Sequence, residues 1–151
     1  MTTPFAAHWT PAEARRMAAW QRVALSTVAV GLLGLLITAA TLPPSEHGMG
    51  THQQLGLPPC SFVMFLGVRC PACGMTTSWA HLMRGQLIQS AHANTGGLML
   101  GVLAALGAPW MLASGLRGRW LFGAVSPEAM LWTLGTVFFI TTLQWCWKVF
   151  A

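Results

Sequence analysis

At 151 residues and 16.2 kDa the chain has the length of one ordinary domain, but 54% of its residues are apolar and only 7% are charged. A soluble domain carries about 25% charge, and a disordered chain is poor in apolar residues, so both classes are excluded and the bilayer remains as the solvent. The formal net charge of +5 comes from eight Lys and Arg against three acids. The basic residues form no cluster of the kind that binds nucleic acid, and three carboxylates are too few for paired-acid hydrolysis or a hard-cation cage.

The first predicted element is an uncharged run from Val23 to Leu42, about the length that crosses a hydrocarbon core. Trp20 and Arg22 precede it and Pro43-Pro44 ends it. A cleaved signal peptide is the competing reading, with Arg15-Arg16 as its basic region, but the run exceeds the usual ~7–15 apolar residues of such a segment. A second span is expected over residues 96–116, opened by Asn94-Thr95-Gly96-Gly97 and closed by Arg117-Gly118-Arg119. A third is expected over residues 129–147, where Ser126-Pro127-Glu128 is a helix-start signal with Ser126 as N-cap. Arg15, Arg16, Arg22, Arg117 and Arg119 flank one side of these spans. The positive-inside rule therefore places the N-terminus in the cytoplasm and residues 43–95 outside.

That outer loop is too long for a plain connector. Phe62 to Leu66 is apolar but too short to span. After Cys73, the spacing of Met75, Trp79, Leu82, Met83, Gln86 and Leu87 predicts one amphipathic helix on the outer surface, with Thr76, Thr77, Ser78 and Arg84 between the apolar positions. The expected fold is thus an all-α integral membrane protein of one membrane domain over residues 1–151. It has three transmembrane helices, with a Cys-bearing re-entrant or interfacial loop and an amphipathic helix between the first two.

Cys70-Pro71-Ala72-Cys73-Gly74 is a CxxC, Cys60 precedes it, and Cys146 near the end of the third span should reach the same membrane face. Three readings stand side by side: a structural disulfide from Cys60 to one member of the CxxC, a redox-active pair, or thiolates holding zinc or copper. Gly74 rather than His follows Cys73, so no c-type haem attachment is expected. His47 and His52 flank Met49 in a Gly-rich stretch; they are either further soft-metal ligands or part of a hydrated linker. Gly97, Gly101 and Ala105 form a small-residue stripe suited to close helix packing, against this chain or another. Gln144 is expected to hydrogen-bond across helices, and no charged residue lies deep in a span, which leaves no proton or ion pathway.

The run from Gly67 to Thr77, with Leu82, Gly85 and Asn94 and the earlier Cys60, resembles a family of small bacterial membrane proteins known only as domain of unknown function 2752. Its pattern is roughly Cys-Pro-x-Cys-Gly-x-Thr-Arg, then Gly-Asp, then Asn-Pro. Here Thr77 stands in place of Arg, Gln86 of Asp and Thr95 of Pro. The resemblance implies a membrane location and a shared cysteine loop, and no reaction; the expected location is the bacterial inner membrane. With no polar pathway, the leading functional expectation is a non-catalytic accessory subunit or assembly factor, with a membrane-protein partner or a second copy beside it in the lipid bilayer. The alternative is a thiol oxidoreductase or soft-metal protein acting through Cys60, Cys70 and Cys73.

Overall fold

The structure, a computed structural model, describes residues 16–123 and 125–150; Arg15, one of the arginines of the N-terminal flank, lies outside them. The described residues form helices and turns with no strand, in the order α1 (Ala19–Thr41), a 3-10 turn (Thr51–Leu55), α2 (Ser61–Leu66), α3 (Met75–Leu82), α4 (Leu87–Ala93), α5 (Thr95–Arg117) and α6 (Pro127–Phe150). α1, α5 and α6 have 23, 23 and 24 residues and are apolar enough to cross a membrane. At 1.5 Å per residue each is about 35 Å long, against a hydrocarbon core of about 30 Å. Their outward faces carry large apolar side chains such as Val23, Ile37, Leu106 and Phe138. This is the architecture of a multi-pass membrane protein.

Small residues let the spans approach. Ala29, Leu36 and Ala39 of α1 are buried, as are Ala104, Ala108 and Gly115 of α5. A Cβ on Gly115 would overlap the Ser26 hydroxyl and come within 3.1 Å of the Arg22 carbonyl. α5 is capped at both ends. The Asn94 side chain accepts from the Gly97 N–H at its start, and Arg22 donates to the Gly115 and Leu116 carbonyls at its end. Ser126 caps α6 as its sequence predicts, accepting from the Ala129 N–H at 3.2 Å.

In a chain with so few acids, the basic side chains pair with helix-end carbonyls instead. Arg84 donates to the Ala39 and Ala40 carbonyls at the end of α1, and Lys148 to the His92 and Ala93 carbonyls at the end of α4. Arg16 and Arg119 are bridged backbone to backbone. The ends of α1 and α5 that carry Arg16, Arg22, Arg117 and Arg119 therefore meet at one pole, and the cysteine loop sits at the other.

The segment after Cys73 differs from the single amphipathic helix expected. Gly85 takes φ +73°, a left-handed conformation that breaks the helix into α3 and α4. The two pack on each other and on the start of α5. Their buried positions are small and polar: Thr77, Ser78 and Ser90 are fully buried. Ser90 Oγ donates to the Ser78 carbonyl and Ser78 Oγ to the Asn94 carbonyl. Apolar spacing misses such a face because short hydroxylated residues bury well once each hydroxyl has a hydrogen-bond partner.

The small-residue stripe of α5 meets this hairpin within the chain. A Cβ on Gly97 would lie 3.1 Å from Ser78 Cβ, and one on Gly101 would lie 2.5 Å from Leu82 Cδ2 and 3.1 Å from Trp79 Cδ1. Ala105, the third member, is half-buried. Trp79 Nε1 donates to the Gly97 carbonyl at 2.8 Å and fixes the register. A Gly101→Leu change should force α3 off α5 at a cost of about 1–3 kcal/mol. Thermal unfolding in detergent reads this directly; an unchanged Tm would mean that Leu82 rotates away without loss.

Candidate metal centre

Two segments bring three of the cysteines together. Cys60 is the residue before α2, and the six-residue helix ends at Gly67, which turns the chain toward Arg69 and Cys70. Cys70 to Gly74 forms a tight turn rather than the first turn of α3, since α3 begins at Met75 with Gly74 as its cap. Cys73 N–H donates to the Cys70 carbonyl at 3.0 Å, and Cys70 N–H points at Cys73 Sγ at 3.3 Å. Sγ of Cys70 and Cys73 lie 3.1 Å apart, and the Sγ atoms of Cys60, Cys70 and Cys73 all fall within 4.8 Å of one another. All four cysteines are free thiols, so the expected Cys60 bridge is not formed here. Cys146 is half-buried and stands outside the three-sulfur group, although its neighbour Trp145 donates to the Arg69 carbonyl beside that group.

Two residues hold the turn, and neither carries obvious chemistry. Gly74 has φ +88°, and a Cβ there would lie 2.6 Å from the Gly48 carbonyl oxygen and 2.7 Å from that of Ala93. Only glycine lets three segments converge this closely. Asn94 is buried and uses both ends of its amide. Its Nδ2 donates to the Pro71 and Cys73 carbonyls at 3.0 and 3.2 Å, while its Oδ1 caps α5. The cysteine turn is thereby pinned to the mouth of a membrane span. α6 braces the same region: Gln144 accepts from the Thr95 N–H at 2.6 Å and donates to the Ala91 carbonyl at 2.9 Å. The cross-helix role expected of Gln144 is the one it plays.

The loop bearing the histidines is fastened independently. The Thr51 and Thr77 hydroxyls share a hydrogen bond of 2.8 Å, and Thr51 Oγ1 also accepts from the Ser45 N–H. Thr77 is fully buried, so the site at which the resembled family carries Arg is here a neutral contact with no room for a guanidinium. His47, His52 and Met49 come to line one open cleft of about 540 Å³ with Cys60, Cys70 and Cys73. The two histidines lie outside the close three-sulfur group. The spacing of Ser45 to His52 alone contained no signal for this approach, since Thr51 and Thr77 are 26 positions apart.

The thiols are not equivalent. For Cys60 burial is the largest influence and acts upward. It is outweighed by hydrogen bonding from the Cys70 thiol, the Val63 N–H, the Cys73 thiol and the Phe62 N–H, which bring the group from 9.0 to about 7. Burial first, and then hydrogen bonding with the Cys70 thiol, push Cys73 up to about 12. Without a cation Cys60 is therefore the thiol disposed to ionise and Cys73 the one that resists it. A positive ion among the sulfurs would overcome that resistance, because thiolate is the form that coordinates.

A multi-pass membrane fold carrying a pinned three-thiol cluster at one pole is the class that the fold and the site define. Residues 60–108 match the model of a family described as protein of unknown function, DUF2752. The matched segment contains all three clustered cysteines, Gly74 and Asn94, and extends into α5 as far as Ala108. It agrees with the resemblance seen in the Cys-Pro-x-Cys-Gly motif. No curated protein and no solved structure matches the chain.

Proposed function

We propose that this protein, a single membrane domain of the bacterial inner membrane with its N-terminus in the cytoplasm, holds one thiophilic metal ion, copper(I) or zinc, at its outer face. The observation that carries this reading is the approach of three Sγ atoms to within 4.8 Å of one another on the wall of an open cleft. Zinc–sulfur bonds of about 2.3 Å at tetrahedral angles separate ligand sulfurs by about 3.8 Å, a spacing reached by small side-chain rotations. Copper(I) is satisfied by three sulfurs. Zinc takes a fourth ligand, for which His47 and His52 stand on the same cleft wall. Among the described residues no carboxylate lines the cleft, which also favours a soft cation over a hard one.

Metal analysis of the purified chain, with thiol counting before and after chelation, tests the reading. One copper or zinc per chain, released together with three newly reactive thiols, is the expected result. A metal-free protein that takes up neither ion would overturn it. The 3.1 Å approach of the Cys70 and Cys73 sulfurs favours thiol–disulfide exchange as the second reading, and a metal-free Cys70–Cys73 disulfide in peptide mapping would select it. The accessory-subunit expectation has its own readout in the same preparation, namely a stoichiometric membrane partner against the exposed faces of α6. For orientation, a membrane-impermeant maleimide on intact cells should label Glu46→Cys and not Gly118→Cys in a background lacking the native cysteines. The opposite pattern would invert the topology.

A further inference from the structure

A second cleft, of about 580 Å³, lies beside the thiol cleft and shares His47 and Arg69 with it. Its walls carry the cations Arg69 and Lys148, the imidazoles of His47, His81 and His92, and one carboxylate, Glu46. The charge there is unbalanced by composition. The other acid among the described residues, Glu128, opens α6 at the far pole. Arg69 is held through its backbone, whose carbonyl accepts from Trp145 Nε1. Its guanidinium donates to no group among the described residues, and two of the three Lys148 N–H bonds are taken by helix-end carbonyls.

The depth of this cleft is set by α6. Lys148 follows directly on Trp147, which is 74% exposed, and lies three positions after Trp145. Exposed tryptophan near the end of a span marks the headgroup level of the bilayer, and lysine there reaches toward phosphate. Below it, the flank of α6 presents Leu143, Phe139 and Phe138 to the outside, a surface along which acyl chains can lie. An anion fixed at that depth, with two chains below it, is what this arrangement complements in both charge and position.

We propose that the cleft between Arg69 and Lys148 binds the phosphate headgroup of an anionic phospholipid of the outer leaflet. The guanidinium offers paired N–H donors to the phosphate oxygens, and Lys148, which lines the same cleft, supplies a second charge. The leaflet rests on the orientation proposed above, and nothing else in this reading depends on whether the neighbouring thiols hold a metal.

Native mass spectrometry of the full chain tests it, after exposure in mixed micelles to phosphatidylglycerol or to phosphatidylcholine of the same chain length. The expected result is selective retention of phosphatidylglycerol. Arg69→Gln should cut that retention by at least about five-fold, the worth of one basic residue at a membrane surface. Arg119→Gln makes the same charge change at the other pole and should leave retention as it was. Because the Arg69 side chain is not used by the fold, its variant should keep the parental Tm, whereas Lys148→Gln removes helix-end contacts and serves only as a second check. Equal retention of the two lipids, or an equal loss in the Arg69 and Arg119 variants, would overturn the proposal. Displacement of the lipid by inorganic phosphate alone would overturn the headgroup assignment in favour of a soluble anion.

Discussion

Cys70→Ser should abolish stoichiometric metal binding while leaving the fold intact. Cys70 stands at the centre of the site: its Sγ is 3.1 Å from Cys73 Sγ, and its thiol is a hydrogen-bonding neighbour of Cys60. Loss of a partner that merely orients a metal ligand costs about 10–100-fold in affinity, so removing one of three ligands should cost more than about 100-fold. Serine keeps the shape of the turn, since the bonds that define it are the Cys73 N–H to the Cys70 carbonyl and the Asn94 amide to the Pro71 and Cys73 carbonyls. Competition with a chelator of known affinity measures the loss, and the Tm of the metal-stripped protein provides the control. If Cys70→Ser retained one ion per chain at parental affinity, the ligands would lie elsewhere. Cys146→Ser should change neither quantity, because that thiol is outside the cluster.

Gly74→Ala is expected to be the most damaging single methyl that the loop can receive. The left-handed backbone at φ +88° costs an L-residue roughly 1–2 kcal/mol by itself. The added Cβ would then press on the Gly48 and Ala93 carbonyl oxygens, at 2.6 and 2.7 Å, and both are backbone atoms that move only with their segments. Overpacking of that kind adds about 1–3 kcal/mol. Together these correspond to a fall in Tm of roughly 10 °C for a chain of this size. Gly56→Ala separates the two causes: Gly56 has φ +77° with nothing within 4 Å of the added methyl, so it bears the backbone cost alone. Gly74→Ala should also weaken metal binding, because the segments it pushes apart carry His47 and Met49 on one side and lead to Asn94 on the other. An equal drop in Tm for the two variants would remove the convergence at Gly74 as an explanation.

Much of this molecule could be read before its structure. The absence of charge over about twenty residues, three times, is a statement about solvent, and solvent decides that such runs become spans whatever their neighbours. The Ser126 cap is equally local, resting on the chemistry of four consecutive residues. The cysteines stood out because CxxC brings two thiols within reach by covalent geometry alone.

Other features depended on residues far apart in the chain. Thr76, Thr77 and Ser78 looked like the polar side of a surface helix, yet two of them are fully buried. Gly85 folds α4 back so that hydroxyls find carbonyls, and apolar periodicity carries no information about such pairings. Cys60 joins the CxxC because α2 is short and ends in a left-handed glycine, while Cys146, expected at the same membrane face, does not. The loop of His47 and His52 reaches the thiols through a threonine pair 26 positions apart, and Trp145 reaches the Arg69 carbonyl across 76. Sequence by itself determined the solvent, the number of spans and the residues capable of soft-metal chemistry, because these follow from composition and local geometry. Which thiols meet, which glycine and amide hold them, and which cations are left facing a cleft were decided only by tertiary structure, since each depends on a hydrogen bond or a steric limit between segments that the chain order keeps apart.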